Sequence, residues 1–122
     1  EYSDPTNRVK LGSGIVIKHH ANQNYTTDAF SSAIIKQIFD GAKVGYQDFY
    51  TRSDMPCGGT LGAISSAQVS IKSVDIGIPQ LAMHSAVETM AASDYETAKK
   101  GLIAFYSAKI IADGDKSVDI EL

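Results

Sequence analysis

The chain has 122 residues and a formal net charge of −3, with 43% hydrophobic and 20% charged residues. That is one domain's worth of ordinary globular composition, large enough for a hydrophobic core, so disorder is not the default reading. The acidic balance argues against a nucleic-acid partner, which calls for a basic stripe or face, and no window approaches the ~20 apolar residues of a membrane-spanning helix.

In chain order, residues 1–13 are polar with an Asp4-Pro5 turn signal and read as loop. "GIVIK", 14–18, is a short β-branched run whose consecutive apolar residues suit a strand buried on both faces. "HHANQNYTT" is polar and irregular. Asp28 is a plausible N-cap for a helix through Asp40, with Ile34, Ile35, Ile38 and Phe39 at helical spacing and Gly41 closing it. Residues 43–50 read as a second strand. "SDMPCGGT" is a loop with two glycines, followed by a small-residue helix, "LGAISSAQV". "SVDIGI", 73–78, is a third strand closed by Pro79. Ser93 and Glu96 suggest a capping box for a last helix over 94–112, with Leu102, Ile103, Phe105, Tyr106 and Ile110 as its buried stripe. "DGDKSVDIEL" reads as a frayed tail or an edge strand.

Alternating strands and helices predict an α/β layered fold, a sheet covered by helices. The chain opens on a loop, and nothing upstream supplies a first βα unit. It therefore reads as part of a larger domain. No basic-then-apolar signal segment opens it. Its one cysteine cannot close an internal disulfide, which points to a reducing, cytoplasmic setting.

Several residues are candidates for chemistry. "PQLAMHSAVET", 79–89, sets His84 in an apolar run. It reads either as a buried neutral imidazole with one backbone partner or as a metal ligand, with Glu88 sharing its face if the stretch is helical. His19 and His20 are adjacent, so on a strand they point to opposite faces; a solvated pair at the strand end is the preferred reading. Cys57, just before a helix, is either inert or a thiol nucleophile with His84 as its base. The neighbouring Gly58 and Gly59 let the backbone approach a ligand, and free amides there suit a carboxylate or carbonyl oxygen. Lys18, at a strand's C-terminal end, selects an acidic group or merely snorkels to water. Tyr25 offers a hydroxyl or covers its loop.

Taken together, "IKHHANQNYTTDAF" and "RSDMPCGGTLGAISSAQVSIKSVDIGIPQLAMHSAVET" resemble the C-terminal portion of the catalytic domain of the M18 metallo-aminopeptidases, the aspartyl aminopeptidase and aminopeptidase I group. The resemblance runs from Gly14 to about Phe105. Its most specific pieces are "PCGGTLG", "DIGIPQLAMHS" and the spacing of "IK" to "NQNY". It implies a zinc-dependent hydrolase with two divalent metal ions, in which His84 is a metal ligand and Lys18 and Tyr25 contact the peptide substrate. Gly58, Gly59 and Thr60 are candidates for the lining of the same pocket.

The family's remaining ligands and its general base lie upstream of the matching region. Asp54, Asp75 and Glu88 do not occupy those motifs, so no catalytic residue is expected in this chain. The resemblance thus implies that residues 1–122 lack the upstream half and the family's inserted domain, and are inactive alone. Expected partners are the remainder of the catalytic domain and further copies in a homo-oligomer, with no nucleic acid and no membrane. The rival reading is a non-catalytic interaction or assembly module that keeps the family core; an unrelated Cys57–His84 hydrolase ranks below both. Acidic and neutral substrate preferences both stay open.

Overall fold

A computed structural model describes residues 8–20, 25–51, 61–68, 71–114 and 117–122. Strand β1 (Ile15–His19) is central in a three-stranded sheet, with β2 (Tyr46–Tyr50) on one side and β3 (Ile76–Gly77) on the other. β1 runs parallel to β2, from Ile15 opposite Tyr46 to His19 opposite Tyr50. It runs antiparallel to β3, with Ile17 opposite Ile76. The β-branched triplet is buried on both faces as expected: Ile15, Val16 and Ile17 are at most 5% exposed. At the strand's start Gly14 has φ +99°, and a Cβ there would run into the Gly45 carbonyl oxygen. Only glycine lets the entries of β1 and β2 come this close.

Helix α1 (Ala29–Gly41) links the two parallel strands. Asp28 caps it as the sequence suggests: the Ser31 amide donates to Asp28 Oδ1 at 2.7 Å, and the Asp28 amide donates back to Ser31 Oγ at 3.0 Å. The helix keeps Gly41, and the left-handed residue beyond it is Lys43, at φ +57°. Ile35, Ile38 and Phe39 then meet Ile15, Ile17 and Val44 in the core. Helix α2 spans Leu61–Gln68. The expected third strand is shorter than its apolar run, since only Ile76 and Gly77 pair within the sheet.

The last helix differs most from expectation. α3 runs Ala92–Ser107, its N-cap is Ala91 without a side-chain bond, and the Ser93–Glu96 box does not form. Asp94 dominates that first turn instead. It is 1% exposed and accepts the amides of Gly12 at 2.7 Å and Gly14 at 3.0 Å. The expected stripe of Leu102, Ile103, Phe105 and Tyr106 is 37–79% exposed. The face toward the core is made of Ala98, Gly101 and Ala104, again at helical spacing. A Cβ on Gly101 would overlap Ile15 Cδ1 and lie 3.1 Å from Phe39. Small residues bring the helix axis close to the sheet, and so the large ones turn outward.

Residues 109–112 are not helical. Lys109–Asp113 forms β4 of an antiparallel hairpin with β5 (Ser117–Glu121), so the tail is a strand and Ile110 is 40% exposed. The hairpin and α3 overhang an apolar cavity of about 530 Å³, lined by Ile34, Ile71, Leu102, Phe105, Ile110 and Val118 among others. Among the described residues, no helix is long and apolar enough to cross a membrane.

Candidate functional site

The two-residue period of β1 divides its side chains between two environments. Ile15, Ile17 and His19 share the α1 face. His19 stacks on Tyr50 with ring centroids 4.5 Å apart, and its Nε2 lies 2.8 Å from Asp48 Oδ1. Lys36 of α1 reaches the same carboxylate at 2.9 Å. Partial burial pushes the Asp48 pKa up, but hydrogen bonds from Lys36 and His19 and their charge outweigh it, leaving it below the usual carboxylate value. Burial likewise works to lower the Lys36 pKa, and the bond and charge of Asp48 leave it raised. His19, Lys36 and Tyr50 border a cleft of about 600 Å³ shared with His20, Thr27 and Asp28.

Lys18 occupies the opposite face, and both it and His20, the residue after the strand, meet Tyr25. Lys18 Nζ lies 5.7 Å from the centre of the Tyr25 ring. The His20 ring meets it edge-on at 6.1 Å and 71°. Lys18 is half-buried, and its side chain lies over Gly77: a Cβ at that glycine would be 3.2 Å from Lys18 Cε. The structure therefore brings Lys18 and Tyr25 together. β1 ends at His19, so strand alternation does not set His20; both histidines border one cleft, and they are not a solvated pair. His20 is 9% exposed, and the His19 side chain 17%. Strand pairing sets His19 opposite Tyr50, and His20, just beyond the strand, packs on Tyr25.

Asp75, just before β3, ties this arrangement together. Its Oδ2 accepts the Thr26 amide at 2.8 Å and the Thr26 hydroxyl at 3.2 Å. Its own amide donates to Thr27 Oγ1 at 2.8 Å, and its carbonyl accepts the Lys18 amide at 2.9 Å. Asp75 matches no ligand motif, so the sequence alone does not mark it. Its partners lie about fifty positions away, and nothing local marks them.

His84 stands elsewhere, on a turn between two short antiparallel strands, Gln80–Leu81 and Thr89–Met90. It is neither buried nor helical. Every residue from 81 to 90 is exposed, and Glu88 accepts the His84 backbone amide at 2.5 Å rather than sharing a helical face with its ring. Ala82 and His84 both have positive φ, +57° and +70°, a conformation that L side chains adopt at a cost. Such strain gathers at functional turns. Among the described residues, no group of three or more His, Cys, Asp or Glu is placed to hold a metal. An exposed imidazole fits one coordination position, and a zinc centre needs three or four. Cys57, Gly58, Gly59 and Thr60 lie outside the described residues.

Known structures supply the class. A chain in the cryo-EM structure of the Ape4 and Nbr1 complex superposes with a TM-score of 0.82 at 35% identity, covering 86% of this chain and 20% of that one. A chain of PhTET1-12s, a dodecamer in its asymmetric unit, superposes at 0.67 with 25% identity, covering 84% and 30%. The fold is that of an M18-type aminopeptidase domain. The family model for aminopeptidase I zinc metalloproteases (M18) matches residues 1–106, and the chain belongs to that family. A probable aspartyl aminopeptidase of Ricinus communis is 40% identical over 111 residues, which cover 91% of this chain and 23% of that protein. The chain spans about a quarter of the length of the curated relatives it matches.

Proposed function

We propose that this chain is the C-terminal portion of the catalytic domain of a zinc-dependent aminopeptidase, an enzyme that removes N-terminal residues from peptides. The observation that carries the reading is His84. Within a zinc-metalloprotease family match, this residue is presented outward on a turn with two strained non-glycine residues. In this reading His84 contributes one imidazole to a two-metal centre, and the remaining ligands come from the rest of the catalytic domain. Two divalent ions in such a centre polarise a scissile carbonyl and lower the pKa of water.

Lys18 and Tyr25 meet the substrate's first residue. By the family resemblance, Gly58, Gly59 and Thr60 are the candidates for the lining of the same pocket. A half-buried ammonium beside a tyrosine ring favours an acidic group, and the aspartyl aminopeptidase relative supports the same preference. The dodecameric relative supports a homo-oligomer, for which the exposed apolar side chains of α3 and the His84 turn offer surface. The single cysteine supports a reducing cytoplasmic setting.

The test compares Asp-, Glu-, Leu- and Met-linked chromogenic substrates with and without chelator, for this chain and for the complete enzyme. The expected result is chelator-sensitive turnover by the complete enzyme, fastest on acidic substrates, and none by the 122-residue chain. Turnover by the chain alone would place a whole active site within it, and the proposal would fail.

A further inference from the structure

We propose that Asp75 is the positioning residue that sets Lys18 and Tyr25 against each other and locks both to the start of α2. The inference rests on the reading of Lys18 and Tyr25 as substrate contacts, and it concerns how they come to be placed.

Three groups of this one residue hold two separate stretches of chain, the end of β1 and the loop that follows Tyr25. The carbonyl takes the Lys18 amide at 2.9 Å, which carries the β1–β3 pairing out to the substrate lysine. The carboxylate takes both the amide and the hydroxyl of Thr26, the residue after Tyr25. The amide is spent on Thr27 Oγ1, and Thr27 is 8% exposed, so the far side of that loop is fixed as well. The 5.7 Å approach of Lys18 Nζ to the Tyr25 ring is thus set by the backbone at both ends rather than by contact between the two side chains alone.

The start of α2 closes the same junction. A Cβ on Gly62 would lie 2.6 Å from Thr26 Cγ2 and 3.1 Å from Asp75 Oδ2, so the helix abuts the carboxylate and the threonine directly. Gly62 stands two residues after Thr60. The helix that follows the "PCGGT" loop is therefore registered on the bonds that hold Tyr25. Small errors in placing substrate-contacting groups are costly: misplacement by about 1 Å can cost on the order of a hundredfold in rate. A residue with this many fixed partners is where such an error would begin.

The experiment uses the complete, metal-loaded enzyme with an aspartyl anilide as probe, and measures kcat and KM separately together with bound zinc. Lys18→Ala and Tyr25→Phe are measured first. Asp75→Ala is expected to raise KM at least about tenfold with zinc content unchanged. Asp75→Asn, whose amide oxygen accepts the same two Thr26 bonds, should restore most of the loss. Combined with Tyr25→Phe and Lys18→Ala, Asp75→Ala should add less than the product of the separate effects, because it acts through them.

If Asp75→Ala does not fold, Gly62→Ala tests the junction from the other side. Alanine favours the helix over glycine, while its Cβ crowds Thr26, so KM should rise in a folded enzyme. Should Lys18→Ala and Tyr25→Phe leave KM unchanged, the substrate-contact reading fails. Should those two raise KM while Asp75→Ala and Gly62→Ala leave it alone, or act multiplicatively with them, the positioning role is overturned.

Discussion

The Asp75 junction and the His84 turn both carry residues of the family motifs, and they are built in opposite ways. At the junction, Tyr25 and Thr27 are at most 9% exposed, and bonds reach across about fifty residues of chain. At the turn, Leu81, Met83, Val87 and Met90 are 40–77% exposed, and the described bonds of His84 and Ser85 are local. In the proposed function, the substrate contact, formed from one strand and one loop, is positioned by the chain's own packing. The single imidazole on the exposed turn, read there as a metal ligand, works only when other ligands surround the same metal. The two regions therefore differ in how much each needs from outside.

The sharpest way to break that comparison is His84→Ala in the complete enzyme. Loss of an outer partner of a metal ligand already costs 10- to 100-fold in affinity or activity. Loss of the ligand itself should exceed about 100-fold in kcat/KM, with bound zinc falling in parallel in a metal analysis. Full zinc occupancy in the variant would remove His84 from the metal centre.

The junction should respond in a graded and substrate-dependent way. Lys18→Ala removes a charged hydrogen-bonding group worth about 1.5–3 kcal/mol, or roughly 10- to 100-fold in kcat/KM on acidic substrates. Leu-linked substrates should lose much less. An equal loss on both would mean that Lys18 supports the fold of the pocket and does not read charge.

A stability measurement sharpens the same contrast from the side of packing. Gly101→Ala places a methyl group against Ile15 and Phe39, directly behind the strand that carries Lys18. Overpacking of this kind costs about 1–3 kcal/mol, and the denaturant midpoint of the complete enzyme should fall accordingly. No change would show that α3 moves away from β1 at little cost, and that the small-residue face is not what holds the strand.

What the sequence revealed follows the same division. β1 is legible because three β-branched residues in a row leave few alternatives, and α1 because Asp28 stands ahead of Ile34, Ile35, Ile38 and Phe39 at helical spacing. Both signals are local. α3 departs from its apolar pattern because size does not mark the inward face there: Ala98, Gly101 and Ala104 set the contact by being small. The same Gly101 spacing was present in the sequence, but close approach of a helix is a property of the pair of surfaces. His20, Asp75 and the group of His19, Asp48 and Lys36 depend on strand register and on partners far along the chain. The resemblance singled out Lys18, Tyr25 and His84 by motif, and the structure brings only the first two together.

The smallest expected effect belongs to the α1 face of β1. The Asp48 pKa is lowered in the fold, so its contribution to stability is complete above the unfolded carboxylate value of about 3.9 and is lost as pH falls through the folded value. The Lys36 pKa is raised, so its share is complete below the unfolded value of about 10.4 and is lost as pH rises through the folded one. The side chains of this pair are 26–29% exposed, which limits the effect to about 1 kcal/mol or less. Asp48→Asn should therefore lower the thermal midpoint slightly at neutral pH. Wild type and variant should converge as the solution is taken below the folded Asp48 value. Convergence matters more than the size of the shift, since a variant that stayed equally weaker at low pH would have lost packing rather than charge. The His19–Asp48–Lys36 group would then be a matter of shape, and β1 would owe its position to the Asp75 side of the sheet.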